Sequence, residues 1–257
     1  MIHLDDLYLS DRQTAFYTEY DAPPVRRGEI LRYSGIPASF LAPTDFGPDD
    51  SILRLLRERC ARCGKGCDLS MNQGATDDCP TDGEDSALHD LIDEMLSVSS
   101  PHFTYRIMYR LLRLDEACDN PQVRDALLQS ADLKKNLSGC DSALLFAATV
   151  GSGIDRFIRR FEHTEPAKAL ILQAIGAERV ESLCDRFNRD VTDAATAIGR
   201  KTHPRFSPGY GDLPLDVQPL LLTMLDAERR IGITLGNNLL MSPSKSVTAL
   251  IGLETSN

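Results

Sequence analysis

A near-continuous apolar run, Ala143–Val150, broken only by Thr149, constrains this chain more than any other feature. It is far short of the roughly 20 residues that cross a bilayer, and no other run is longer, so no membrane span is implied. With Ser142 before it and Gly151-Ser-Gly153 after it, the run fits a strand buried on both faces. Phe103–Leu114 alternates Tyr105, Ile107, Tyr109 and Leu111 with Arg106, Met108 and Arg110, the pattern of a half-buried strand. Ser246–Leu253 reads as a last strand.

Helical spacing fills the intervals. Ile154, Phe157, Ile158 and Phe161 mark one amphipathic helix. From Pro166 to Arg200 apolar residues recur in steps of mostly three and four, with Gly176 placed to kink or divide the stretch. Shorter helices are expected at Gly28–Ser34, from Pro48 to Cys60, through Leu88–Leu96, from Ser130 to near Gly139, and over Leu215–Ile231. The rest of the first 50 residues is irregular and rich in turns. Strands and helices mix without a repeat and without regular βαβα alternation, which makes the class α+β. Residues 1–257 read as a single domain, with a breaker-rich cysteine loop or insertion at about 60–85.

The formal charge is −10 and the isoelectric point is about 5.0. Phosphate neutralisation needs a surplus of Lys and Arg on one face, so no nucleic-acid partner is expected. The doublets Arg159-Arg160, Arg200-Lys201 and Arg229-Arg230 are scattered among acids, as on solvated helix faces. Met-Ile-His-Leu-Asp-Asp carries acid where a secretory signal carries base, and seven cysteines is an odd number. Both point to a reduced, cytoplasmic protein.

Several patterns could carry chemistry. Cys60-x2-Cys63-x3-Cys67-x11-Cys79 could hold zinc or an iron–sulfur cluster, with His89 and His102 as further candidate ligands. Its spacing matches neither a paired C-x2-C zinc site nor a ferredoxin, and an unliganded loop is the alternative. Cys118, Cys140 and Cys184 read as small core residues. Gly151-Ser-Gly153 follows a strand and opens a helix, but Arg156 stands where a dinucleotide fingerprint needs its third glycine. No G-x-S-x-G occurs, and no histidine has an obvious nucleophile beside it. His163 and His203 sit at helix ends, where the dipole favours them.

The segment after Pro204 is different. Arg205-Phe-Ser-Pro-Gly-Tyr210 sets a guanidinium and a phenol on a stretch stiffened by Pro204, Pro208 and Pro214. A guanidinium fork matches a planar carboxylate. Glu181, at the edge of a buried helix face, could take an ammonium, so the two would suit an α-amino acid. The alternative is a structural Arg205–Glu181 ion pair.

Arg205-Phe-Ser-Pro-Gly-Tyr-Gly-Asp-Leu-Pro214, then a helix, Ile231-Gly-Ile-Thr-Leu235, Met241-x-Pro243 and Ser246-Val-Thr-Ala249 resembles the activation domain of cobalamin-dependent methionine synthase. That family reads R-x-x-x-G-Y-P, a helix, I/T-G-x-x-L-T-E-S, M-x-P and S-V-S-G. Upstream, Ser130-x-Asp-Leu-x-Lys-x-Leu-x-Gly-Cys140, Phe146-Ala-Ala-Thr-Val-Gly151 and Arg179-Val-Glu181 are similar to its stand-alone members. The resemblance spans roughly 130–253. Gly211 replaces the family's proline, Gly236-Asn237-Asn238 its T-E-S, and Leu250-Ile251 an aromatic pair.

The resemblance implies a twisted antiparallel sheet flanked by helices that binds S-adenosylmethionine. It implies a stand-alone accessory subunit supporting reductive remethylation of cob(II)alamin. The cobalamin would be carried by a separate cobalamin-dependent methionine synthase, with flavodoxin or a similar electron donor. By the same resemblance Arg205 takes the methionyl carboxylate, Glu181 lies near the amino group, and Ser207, Pro208, Gly209 and Tyr210 line the ligand. Two alternatives stand beside this: a cluster-bearing activator of another corrinoid methyltransferase, and a non-catalytic ligand-binding module on the same fold.

Overall fold

In the computed structural model, which describes residues 2, 14–35, 82–115 and 120–254, the apolar run is an inner strand of a four-stranded sheet. In chain order the elements are β1 (Phe16–Tyr20), α1 (Arg27–Tyr33), α2 (Asp82–Ser99), β2 (Tyr105–Arg113), α3 (Pro121–Leu127), α4 (Ala131–Asn136) and β3 (Cys140–Thr149). They continue with α5 (Gly153–Phe161), α6 (Pro166–Ala197), α7 (Gln218–Met224), α8 (Ala227–Ile231), β4 (Thr234–Leu235), β5 (Met241–Ser242) and β6 (Ser246–Glu254). The expected helix from Pro48 to Cys60 and most of the cysteine-rich stretch lie outside the described residues. No helix among the described residues is long and apolar enough to cross a membrane.

The chain divides into two compact units. The first comprises Met1–Val25, Phe103–Ser152 and Arg179–Asn257. Its sheet runs β1-β2-β3-β6, antiparallel throughout, with Tyr109 opposite Phe146 and Phe146 opposite Ala249. Because side chains alternate along a strand, β3 serves two cores. Ala143, Leu145 and Ala147 join Met108, Leu112 and Leu250 against Val123 and Leu127 of α3, Leu133 of α4, and Leu221 and Ile231 of α7 and α8. Phe146 points the other way and meets Phe187 of α6 at 4.9 Å, with the Tyr109 ring 5.4 Å from Phe187. The α+β class and the antiparallel sheet flanked by helices are as expected.

The departures have local causes. β2 lies between β1 and β3, so Met108 and Arg110 are buried as well, and the strand is more enclosed than its alternation implies. Leu215–Ile231 is three pieces, not one helix. A 3-10 turn at Leu215–Val217 leads into α7, and Asp226, with φ 50°, breaks α7 from α8. Gly176 does not divide α6, which runs 32 residues. A helical glycine costs only about 1 kcal/mol, far less than the buried apolar face of such a helix returns.

Helix α4 begins as expected at Ser130, whose hydroxyl accepts from the Leu133 amide at 2.9 Å. Asn120 does the same for α3 through the Val123 amide at 3.3 Å, with Pro121 next to it in the first turn.

The second unit comprises Arg26–His102 and Gly153–Glu178. Within it the Phe157 ring of α5 packs 4.5 Å from His102, and a Cβ on Gly153 would collide with the His102 carbonyl. Gly153 therefore serves a close backbone approach, which accounts for a glycine here without a nucleotide.

Candidate functional site

The site is built on the open edge of β6, in the first unit. An edge strand exposes unpaired backbone groups. Here residues 201–206 run antiparallel along it: the His203 amide donates to Gly252, and Phe206 and Leu250 exchange both backbone hydrogen bonds, each at 2.9 Å. Pairing fixes which way each side chain turns. Phe206 enters the apolar cluster with Leu213 and Leu250. Arg205, its neighbour, reaches α6.

There Arg205 Nη1 donates to Asp185 Oδ1 at 2.6 Å, and Nη2 donates to Glu181 Oε2. Glu181 and Asp185 stand one turn apart on α6, so both carboxylates reach the same guanidinium. The three side chains are 23–32% exposed, so the ion pairs are neither fully hydrated nor sealed. Cys184 lies beside them with no exposure, and burial pushes its thiol well above the ordinary range, which keeps it protonated and inert.

Ser207, Pro208, Gly209 and Tyr210 form a loop closed on itself. The Tyr210 amide donates to Ser207, the Leu213 amide to Tyr210, and the Gly209 amide to Leu213, at 2.9–3.1 Å. Tyr210 is 69% exposed and stands edge-on to Phe206 at 5.4 Å. The loop is then tied to α4. Asp212 accepts from the Ser130 hydroxyl and from the amides of Ala131 at 2.7 Å and Asp132 at 3.1 Å, while Asp132 accepts from the Asp212 amide at 3.2 Å. Two acids thus bridge the loop and the first turn of α4, where free amides favour negative charge.

Beside this loop opens a cavity of about 530 Å³ lined by Asp132, Lys135, Asn136, His203, Phe206 and Tyr210. His203 is held by Glu254, 3.0 Å from Nε2, and by the Asn136 carbonyl at Nδ1. That tether, not a helix dipole, accounts for His203.

Of the residues singled out by sequence, Arg205 and Glu181 meet directly, and Ser207–Tyr210 share one loop. Within that loop the Tyr210 ring lies against Phe206. Asp185 and Asp212 were not foreseen. Asp185 had a signal: it stands four residues after Glu181 on a stretch of clear helical spacing. Cys140 is half-buried, and burial with the nearby Glu254 and Asp141 pushes its thiol up to about 11. Cys60, Cys63, Cys67, Cys79 and Cys118 lie outside the described residues. Among the described residues no cluster of His, Cys, Asp or Glu is arranged to hold a metal ion.

A family profile described as the activation domain of vitamin B12 dependent methionine synthase matches residues 108–256, starting within β2. The chain is also similar to the crystal structure of the MetH reactivation domain bound to AdoHcy. The two are 14% identical with a TM-score of 0.53, over 94% of this chain and 78% of that one, a likeness of fold. No curated protein matches the chain.

Proposed function

Because the chain belongs to the family of vitamin B12-dependent methionine synthase activation domains, we propose that it binds S-adenosylmethionine and serves a cobalamin-dependent methionine synthase as a separate reactivation subunit in the cytoplasm. The observation that carries this reading is the Arg205–Glu181 pair at the head of the Ser207–Tyr210 loop. A cation and an anion at contact distance are the complement of the ligand's carboxylate and ammonium. The protein named in the structural comparison is bound to AdoHcy, which shares both groups with S-adenosylmethionine.

In this reading the chain contributes position. Arg205 takes the carboxylate, Glu181 the ammonium, and the backbone of Ser207, Pro208, Gly209 and Tyr210 lines the remainder. The loop is fixed at both ends, by pairing with β6 and by the Asp212 cap on α4, so little ordering entropy is lost on binding. Holding one end of the ligand by two charged contacts sets where its sulfonium methyl points, which is the larger part of what such a subunit does. Cobalamin on the partner, reduced by flavodoxin or a similar donor, would accept that methyl group.

Calorimetric titration with S-adenosylmethionine tests the reading. Saturable binding to the natural chain, lost in Arg205→Ala with the melting temperature retained, is the expected result. No saturable binding to the natural chain would overturn it.

A further inference from the structure

Arg205 is already engaged, and by one more carboxylate than the proposed ligand contacts use. Its two terminal nitrogens are divided between Asp185 and Glu181, so two carboxylates already face one guanidinium. A ligand carboxylate arriving at Arg205 would be the third anion around one guanidinium, in a setting only partly screened by water. A guanidinium binds a carboxylate best through two parallel N–H bonds, and two of its five donors are committed. Glu181 has a part in the reading above as the partner of the ligand's ammonium. Asp185, one turn further along α6, has none.

We propose that Asp185 is a built-in competitor for the ligand's carboxylate, holding Arg205 in place in the empty protein and yielding it when the ligand binds. This rests on the assignment of Arg205 to the ligand carboxylate. Asp185 keeps the guanidinium extended toward α6, 2.6 Å from its oxygen. On binding, the Nη1 bond to Asp185 is exchanged for one to the ligand carboxylate. The site is thus preorganised, and its affinity is held below what Arg205 and Glu181 would give alone.

The test compares the full chain with Asp185→Asn in titrations with S-adenosylmethionine and with its decarboxylated analogue, which keeps the ammonium and lacks the carboxylate. Asp185→Asn is expected to bind S-adenosylmethionine about tenfold more tightly, the scale of one charge-assisted hydrogen bond, with no gain for the analogue, whose ammonium loses a nearby anion. A merely structural role for Asp185 would move both ligands alike. Asp185→Ser gives the same comparison should the asparagine variant fail to fold. Equal or weaker binding of S-adenosylmethionine by the variants, or an equal gain for both ligands, overturns the competitor while leaving Arg205 as the carboxylate site. Absence of binding in all chains overturns both.

Discussion

Gly211 and Asp132 approach so closely that a Cβ on Gly211 would stand 3.2 Å from the Asp132 Cβ and inside contact distance of its carboxylate. Gly211 also has φ 56°, a left-handed conformation that proline cannot reach and alanine reaches only with strain. The family's proline at this position is therefore incompatible with the way this loop docks on α4. Gly211→Ala is expected to cost about 1–3 kcal/mol, and Gly211→Pro more, as a fall in thermal midpoint. An unchanged midpoint would mean the loop does not hold this conformation in solution.

The cap on α4 predicts an acid-sensitive element. The Ser130 hydroxyl, opposed by some desolvation and aided by the amides of Ala131 and Asp132, holds the Asp212 carboxyl below its ordinary value. A carboxylate depressed on folding stabilises fully above its unfolded value of about 3.9, and that stabilisation is lost as pH falls through the folded value. The midpoint difference between the natural chain and Asp212→Asn should be constant from neutral pH to about pH 5 and shrink below about pH 4. A difference that persists undiminished in acid would exclude the carboxylate as its source.

Arg205→Lys separates the fork from the charge. One ammonium cannot reproduce the two-armed contact to Asp185 and Glu181, nor the parallel pair a carboxylate prefers. Affinity for S-adenosylmethionine should fall by about tenfold or more, while stability changes by less than about 1 kcal/mol because the ion pairs are partly hydrated. Calorimetry and a thermal melt on the same preparation read both, and retained affinity would count against Arg205 as the carboxylate site.

Phe187 ties α6 to the sheet. It is fully buried and contacts the rings of both Phe146 and Tyr109. Phe187→Ala should destabilise by about 3–5 kcal/mol in urea unfolding, through lost burial plus the cavity left behind.

Much of this architecture was legible because burial and periodicity agree. β3, β6 and α6 are strongly patterned, and α4 announces itself through Ser130. β1 was not, because Phe16–Tyr20 is five residues long and half-exposed, and only pairing with β2 makes it a strand. The break between α7 and α8 was hidden for the opposite reason: Leu221, Met224, Ala227 and Ile231 keep helical spacing across it, while Asp226 adopts the left-handed conformation more often taken by glycine or asparagine. At the site, chemistry pointed to Arg205 and Glu181. The i, i+4 spacing of Glu181 and Asp185 is a local signal for their sharing one guanidinium, whereas the Asp212 cap joins segments distant in sequence and is a property of no local pattern.

The pairing of 201–206 with β6 also sets how the edge carries an extra residue. The bridges Thr202–Leu253 and Phe206–Leu250 set five residues of the segment against four of β6, so one unmatched residue is absorbed between them, beside Arg205. Both ends of the segment stay paired around that residue, so the sheet edge can take up a change of length next to Arg205 without releasing either end.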